Sequence, residues 1–534
     1  MQMHPQKTLL TSGIAVALIL MFSQFALGQR RLTPIPHAVG YPNHAANHGD
    51  VSANPHSPWT ALTTQPSFLA DGAANPILLM DGTVLVQDAG FPDWWRLTPD
   101  EFGNYANGTW TQVADAPYSP LYHSTAVLPD GRMIIEGGEY ICTTTTCNPV
   151  WTNLGAIYDP VANAWTSINP PAGWSTIGDA QSVVLPDGTY MQANCCTMQS
   201  ALLDPTNLTW TPTGNGKYDP NDEEGWTLLP NGKVLTVDAY VPIPPFPFIP
   251  TGTNYELYDP STGNWTTAGQ TPVQLWDSWL TCGETNPTFE LGPAVLRPDG
   301  TVFYAGANTC PNESGATAIY NSANNTWVAG PYFPGTNDIA DGPASLEVNG
   351  KVLMMASPGF GNPPSTFFEW DGRKMYEVPG TPNSPTDGSY YGNMLLLPSG
   401  QILLTDFSDD IWLYNSTGTS EGGWAPSVVA SPKSVQGGSS YQVFGYQFNG
   451  FSLGAAYGDD AQAATNFPVV RITNLKTHHV FYSRAYNPSS MAVASNQLSS
   501  VWFEVPANQE TGLSHLQVVA NGIASSPVTV NVTN

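Results

Sequence analysis

The sequence predicts an all-β chain: a seven-bladed β-propeller followed by a small β-sandwich. Three observations carry that prediction. One strand–turn–strand pattern recurs seven times, each time around a turn glycine. A second strand–turn–strand element closed by Trp follows most copies. Past residue 428 the rhythm stops and shorter alternating stretches replace it.

The first element reads PILLMDGTVLV (76–86), STAVLPDGRMII (124–135), QSVVLPDGTYM (181–191), WTLLPNGKVLTV (226–237), PAVLRPDGTVFY (293–304), PASLEVNGKVLMM (343–355) and MLLLPSGQILL (394–404). Asp-Gly and Asn-Gly supply the positive φ angles of tight hairpins. The second element reads IYDPVANAW (157–165), LLDPTNLTW (202–210), LYDPSTGNW (257–265) and IYNSANNTW (319–327). Four strands per repeat, spaced roughly 45–70 residues apart, describe a propeller blade. Trp59–Leu62 reads as an outer strand supplied by the N-terminal end to close the last blade, giving a propeller over 58–428. Alternating stretches at 441–446, 468–473, 479–482, 500–505, 515–520 and 528–533 predict an immunoglobulin-like (E-set) sandwich over 429–534.

The N-terminal end predicts export. Lys7, the apolar run Ile14–Phe22 and Ala26-Leu27-Gly28 form a secretory signal over 1–28, cut after Gly28, with an uncleaved anchor as the alternative. Residues 29–57, rich in Pro, His and Asn, read as a tether. No later segment has the ~20 apolar residues of a membrane span. The expected location is secreted or periplasmic, and a monomer is expected.

Only 15 Lys and Arg stand against 42 Asp and Glu, a net charge of −27, and charged residues make up 11%. Such a surface repels phosphate backbones, so nucleic acid is excluded as a main partner. Six cysteines in an exported chain suggest disulfides. Cys142 with Cys147 and Cys282 with Cys310 are the expected pairs. Cys195 and Cys196 are adjacent, so a bond between them needs a strained eight-membered ring, and free thiols are the alternative.

Hairpin connectivity puts the Asp-Gly turns on one face and the long, dissimilar loops on the other. All six cysteines fall on the long-loop face. Counting back from each turn glycine gathers Ala73, Tyr122, Asp179, Glu223, Glu290, Ala340 and Tyr391 at the channel mouth, with His123, Glu224, Asp341 and Tyr390 beside them. Carboxylates, tyrosines and a histidine at a shared opening make a candidate ligand site. The alternative is that they bind water and strand ends. Trp94, Trp95, Tyr240, Phe246 and Phe248 are expected to be exposed stacking surface. The acidic segment Asp219–Glu224 (DPNDEE), Asp409-Asp410 and Asp459-Asp460 read as solvated turns.

Tyr122-His123-Ser124 with TAVLPDGRMIIEGG, and Tyr390-Tyr391 with GNMLLLPSGQILL, resemble the kelch-type blades of galactose oxidase and glyoxal oxidase. The resemblance spans nearly the whole chain after the signal. It implies one copper held by two tyrosines and two histidines, one tyrosine cross-linked to a cysteine, and oxidation of an alcohol or aldehyde with production of hydrogen peroxide. It assigns Tyr122 to the cross-linked tyrosine and Tyr390 to the axial one, the two candidate catalytic residues. The position of the first histidine ligand holds Tyr391. The stretch expected to bring the cysteine is Ala73-Ala74-Asn75-Pro76, and the one expected to bring the second histidine is Ala464-Thr465-Asn466-Phe467. Neither has the required residue. His478 and His479 are adjacent on a predicted strand and should point apart. Copper prefers imidazole nitrogen, and a phenol with pKa near 10 is a poor substitute. The reading is therefore an exported propeller that binds a glycan or an envelope or matrix protein, with no metal or other cofactor expected. The alternative is a copper oxidase with a rearranged site. A structural adhesin whose sandwich docks to a partner is a third possibility.

Overall fold

A computed structural model describes residues 57–66, 68, 72–143, 147–239, 253–277, 289–310, 312–359, 361–460 and 463–534. The signal, the tether through residue 56, Cys282, Tyr240, Phe246 and Phe248 lie outside the described residues. Apart from one short 3-10 turn, Ser389–Tyr391, every regular element among the described residues is a strand. No helix among them is long and apolar enough to cross a membrane.

Before the C-terminal unit, the recurrent elements form, among the described residues, seven antiparallel sheets, six with four strands and one with five. Each turn glycine joins the first two strands of its sheet. In the second, Ser124–Val127 pairs with Met133–Glu136, which pairs with Gly155–Asp159, which pairs with Ala164–Ile168. The innermost strands are Ala73–Leu78, Ser124–Val127, Ser182–Val184, Thr227–Leu228, Ala294–Leu296, Ala344–Leu346 and Asn393–Leu396. Most neighbours among them touch, and the last lies against the first, so the sheets are arranged around a common axis. Ala, Val and Leu fill these strands because both faces of every sheet are covered.

Two of the outer Trp residues tie their sheet to the one before it. The Trp165 indole donates to the Ala114 carbonyl at 2.7 Å, and the Trp210 indole to that of Asn169 at 2.8 Å. Each therefore buries an apolar body and satisfies its single donor. The last sheet takes its outer strand from the other end of the chain, as expected: Trp59–Ala61 pairs with Trp412–Tyr414. The Trp59 ring packs edge-on against Phe367 and Tyr414, at 4.9 and 5.0 Å.

The C-terminal unit begins at Ser427–Ala430. Its strands join into one curled sheet around Val443, Val501, Phe503, Leu516, Val518 and Val530, all fully buried. It stands on the turn face. The amides of Ala485, Asn487 and Met491 donate to the carbonyls of Met80, Pro129 and Pro186, beside three successive glycine turns. The Tyr482 ring lies over Gly82, where even a Cβ would come within 2.5 Å of it.

One segment of this unit leaves it and enters the axis. The Gly454 carbonyl accepts from the Leu346 amide at 2.7 Å, and Ala455–Ala456 then pairs along the inner strand Ala344–Leu346. The chain reaches the opposite end at Tyr457, whose hydroxyl donates to the Tyr390 carbonyl at 2.7 Å. The C-terminal unit thus closes one face and sends a finger to the other.

Candidate functional site

The mouth is built from the entries to the inner strands plus the tip of this finger. Several entry residues sit in the left-handed region without being glycine: Tyr122 (φ 50°), Glu223 (φ 58°), Phe289 (φ 68°) and Asp341 (φ 51°). Each costs of order 1 kcal/mol or more. The recurrence shows that the surrounding sheets dictate where these side chains point.

Tyr122, His123, Tyr390, Asn75, Tyr457 and Asp460 line one small recess of about 20 Å³. The two tyrosines assigned by resemblance are therefore on the same side of the molecule. Tyr391 packs against Tyr390, with ring centroids 4.1 Å apart and the planes tilted by 37°. Phe407 lies 5.6 Å from Tyr391 and 6.3 Å from Tyr122. The tyrosine rings are half-buried, which leaves stacking surface at the rim.

His123 is buried. Its Nε2 lies 3.1 Å from the Asn75 amide nitrogen, a donor, so the proton belongs on Nδ1. That Nδ1 is buried and has no hydrogen-bond partner. Burial pushes the imidazole down to about 3, so it is neutral at ordinary pH.

Acids gather at the mouth as well. Oxygens of Asp179, Glu223 and Asp459 lie within 4.8 Å of one another. Glu290 and Asp341 belong to the same group, and burial followed by like-charge repulsion raises both well above the usual carboxylate range. Burial also raises Glu139 to about 8, with help from the charges of Glu223 and Asp459.

Several sequence-based expectations need correction. Asp459 and Asp460 do not form a solvated turn: they are 4% and 1% exposed, because the finger carries them into the axis. Nor is DPNDEE solvated. Asp219 and Glu224 are buried and face the Lys217 ammonium at 2.6 and 3.0 Å. Glu224 therefore turns away from the mouth, and its neighbour Glu223 takes the place expected for it. Lys217, not singled out from the sequence, also meets Glu256 at 2.6 Å and Asp238 at 3.7 Å.

Trp94 is not exposed. It opens the strand Trp94–Thr98, and side chains alternate there, so Trp94 faces the core beside Trp165 and His123 while Trp95 is half-buried. Ala464–Phe467 stays inside the C-terminal unit, and Tyr457–Asp460 is the segment that reaches the mouth. His478 and His479 precede the strand Val480–Tyr486 instead of lying on it, and His479 Nδ1 pairs with Glu510 at 2.7 Å.

Cys142 and Cys147 are bonded as expected, across the hairpin Tyr140–Cys142 and Cys147–Pro149. Cys195 and Cys196 are bonded to each other and are not free thiols. Cys310 is disulfide-bonded, and its expected partner Cys282 lies outside the described residues.

No family model matches the sequence. The Kelch-like protein terF of Aspergillus terreus is 30% identical over 132 residues, which is 24% of this chain. The chain spans about a quarter of that curated relative, 26% of its length. A fungal alcohol oxidase of the AA5 family in complex with copper aligns over 90% of this chain and 99% of its own, with 13% identity and a TM-score of 0.46. A streptogramin B lyase aligns over 66% of this chain and 96% of its own, with 11% identity and a TM-score of 0.44.

Proposed function

We propose that the chain is an exported seven-bladed, kelch-type propeller with an immunoglobulin-like C-terminal sandwich, and that it binds a carbohydrate at its axial mouth, outside the cell or at its envelope. One observation carries the reading. The C-terminal unit stands on the turn face, while the paired Tyr390 and Tyr391 rings and a group of carboxylates stand at the other end of the axis. Aromatic faces stack on the apolar faces of sugar rings, and carboxylates accept from their hydroxyls. The bonded cysteines suit an oxidising compartment.

A glycan array probed with the mature chain tests this reading, with Tyr391→Ala and Trp95→Ala as variants. The expected result is a defined glycan class whose affinity falls at least about tenfold with Tyr391→Ala. An empty array, or binding indifferent to both substitutions, overturns it.

A copper oxidase is the second reading, because Tyr122 and Tyr390 share one cavity. The donor set does not fit the copper. The imidazole lining that cavity, His123, has its accepting nitrogen bonded to Asn75. The finger brings Tyr457, Asp459 and Asp460 to the mouth, not an imidazole. Stoichiometric copper together with peroxide formation from alcohols or aldehydes would decide for the oxidase.

A further inference from the structure

The mouth carboxylates come from distant parts of the chain: Asp179, Glu223, Glu290 and Asp341 from four sheet entries, and Asp459 from the C-terminal finger. Three of them present oxygens mutually within 4.8 Å. Around a calcium ion, with oxygens at roughly 2.4 Å, opposite donors stand about 4.8 Å apart. Three oxygens no farther apart than this lie within reach of a single ion.

A second observation points to a ligand. Glu290 is 7% exposed, and its Oε2 is buried with no hydrogen-bond partner. The groups that bear on Glu290 are Asp341, Glu223 and Asp459, all acids, and its side-chain hydrogen bonds are to Glu223 and Asp341, so none of them supplies positive charge. The charges that bear on Asp179 are Glu139, Glu223, Asp459 and Asp222, again all negative. An acceptor in such a place needs a proton or a cation. The chain supplies a cation one residue away: Glu224 faces Lys217 at 3.0 Å. Glu223 turns the other way, toward Asp179 and Asp459.

The finger is held closely enough to define a site. A Cβ on Gly458 would come within 2.3 Å of an Asp341 oxygen, and one on Gly225 within 2.4 Å of the Gly458 carbonyl. Only glycine passes between these groups, so the position of Asp459 is fixed by backbone packing.

We propose that Asp179, Glu223 and Asp459, backed by Glu290, form a binding site for a hard divalent cation of the calcium class, completed by the C-terminal finger. The donors are all carboxylate oxygens. With neither imidazole nor thiolate in the group, it favours calcium over copper or zinc. The site links the two units of the chain, because one ligand comes from the C-terminal unit and the others from the sheets it stands on. It does not depend on the glycan reading.

The test uses the mature chain stripped with chelator, without sugar. Calorimetric titration with CaCl2 should show saturable binding of one ion per chain. The melting temperature should rise with calcium concentration. Terbium, excited through nearby tyrosine and tryptophan, should luminesce and be displaced by calcium. Asp459→Asn and Glu223→Gln should each weaken calcium binding at least tenfold. In the stripped protein the same substitutions should raise the melting temperature, since they relieve repulsion, and they should abolish its calcium response. An acid with a merely structural role would destabilise in both conditions. Absence of saturable calcium binding by the folded wild-type chain would overturn the proposal, as would calcium binding unaffected by both substitutions.

Discussion

The hydroxyl of Tyr457 donates to the backbone carbonyl of Tyr390 at 2.7 Å, joining the tip of the C-terminal finger to the last sheet entry at the mouth. The bond spans the two units of the chain, and Tyr457 is 3% exposed. Tyr457→Phe keeps the ring and deletes the bond. The part-buried carbonyl then loses a donor, at a cost of about 1 kcal/mol. Urea unfolding should show that loss. Because the finger also carries Asp459, the variant should loosen the mouth before the rest of the molecule. Hydrogen exchange at the Asp341 and Tyr391 amides should accelerate in it.

The adjacent tryptophans of the first sheet separate packing from recognition. Trp94 is fully buried against Trp165, with ring centroids 5.9 Å apart. Trp94→Ala should cost about 3–5 kcal/mol by opening a cavity. Trp95 is half-buried, with its indole donating to Asp93 at 3.1 Å. Trp95→Ala should cost roughly 1 kcal/mol for the lost hydrogen bond. Thermal unfolding of both variants checks the contrast. A double substitution would confound the two effects, so ligand binding should be compared with Trp95→Ala alone.

The sheets were legible from sequence because each is local: strand, glycine turn and strand lie within a dozen residues, and all seven turn glycines have positive φ between 76° and 90°. Tyr122, Asp179, Glu223, Glu290 and Asp341 were also reachable, by counting back along strands of nearly constant length. What could not be read depends on contacts distant in sequence. Nothing around Asp459 announces that its segment runs along Ala344–Leu346, since a short polar stretch rich in glycine looks like any exposed turn. Asp219 and Glu224 likewise look solvated until Lys217 is seen to be enclosed with them. The error at Trp94 was of another kind. Both tryptophans were expected to be exposed, and period-2 alternation along a strand sends one of them inward.

The stability of the chain should fall as pH rises from 5 to 8. Burial raises Asp338 and Glu347 to about 7, with the charge of Glu369 adding to the effect on Glu347. Burial first, and then the charge of Asp406, raises Asp387 to about 9. In the unfolded chain these groups titrate near 4. Between the two values the folded state holds more protons, so the slope of unfolding free energy against pH is negative. The stabilisation is complete below about pH 4 and is lost as pH climbs through 7 to 9. The net charge of −27 acts in the same direction through self-repulsion. Denaturant midpoints at pH 5.5 and 8 should differ by the equivalent of a few kcal/mol. Asp387→Asn should flatten the alkaline part of the curve.

Lys217 offers the sharpest single substitution. Its ammonium and the carboxylates of Asp219, Glu224, Asp238 and Glu256 all have side chains with no exposed surface. Burial alone would lower the lysine, but the four acids outweigh it and hold it well above its ordinary range, so it stays charged. Burial raises Glu224 and Asp238 in turn, which moderates the negative charge of the cage. Lys217→Met keeps much of the volume and removes the cation. Losing one partner of a buried ion pair costs about 3–5 kcal/mol, and here four acids lose the same partner. The sign with pH follows from the acids left behind. Without the ammonium the folded-state values of Glu224 and Asp238 rise further above the unfolded ones, so the variant gains relative stability as pH falls toward 4 and loses it as pH rises. Urea titrations of both proteins from pH 5 to 8 should show a gap that widens with pH. A gap independent of pH would mean that the lysine acts through packing alone.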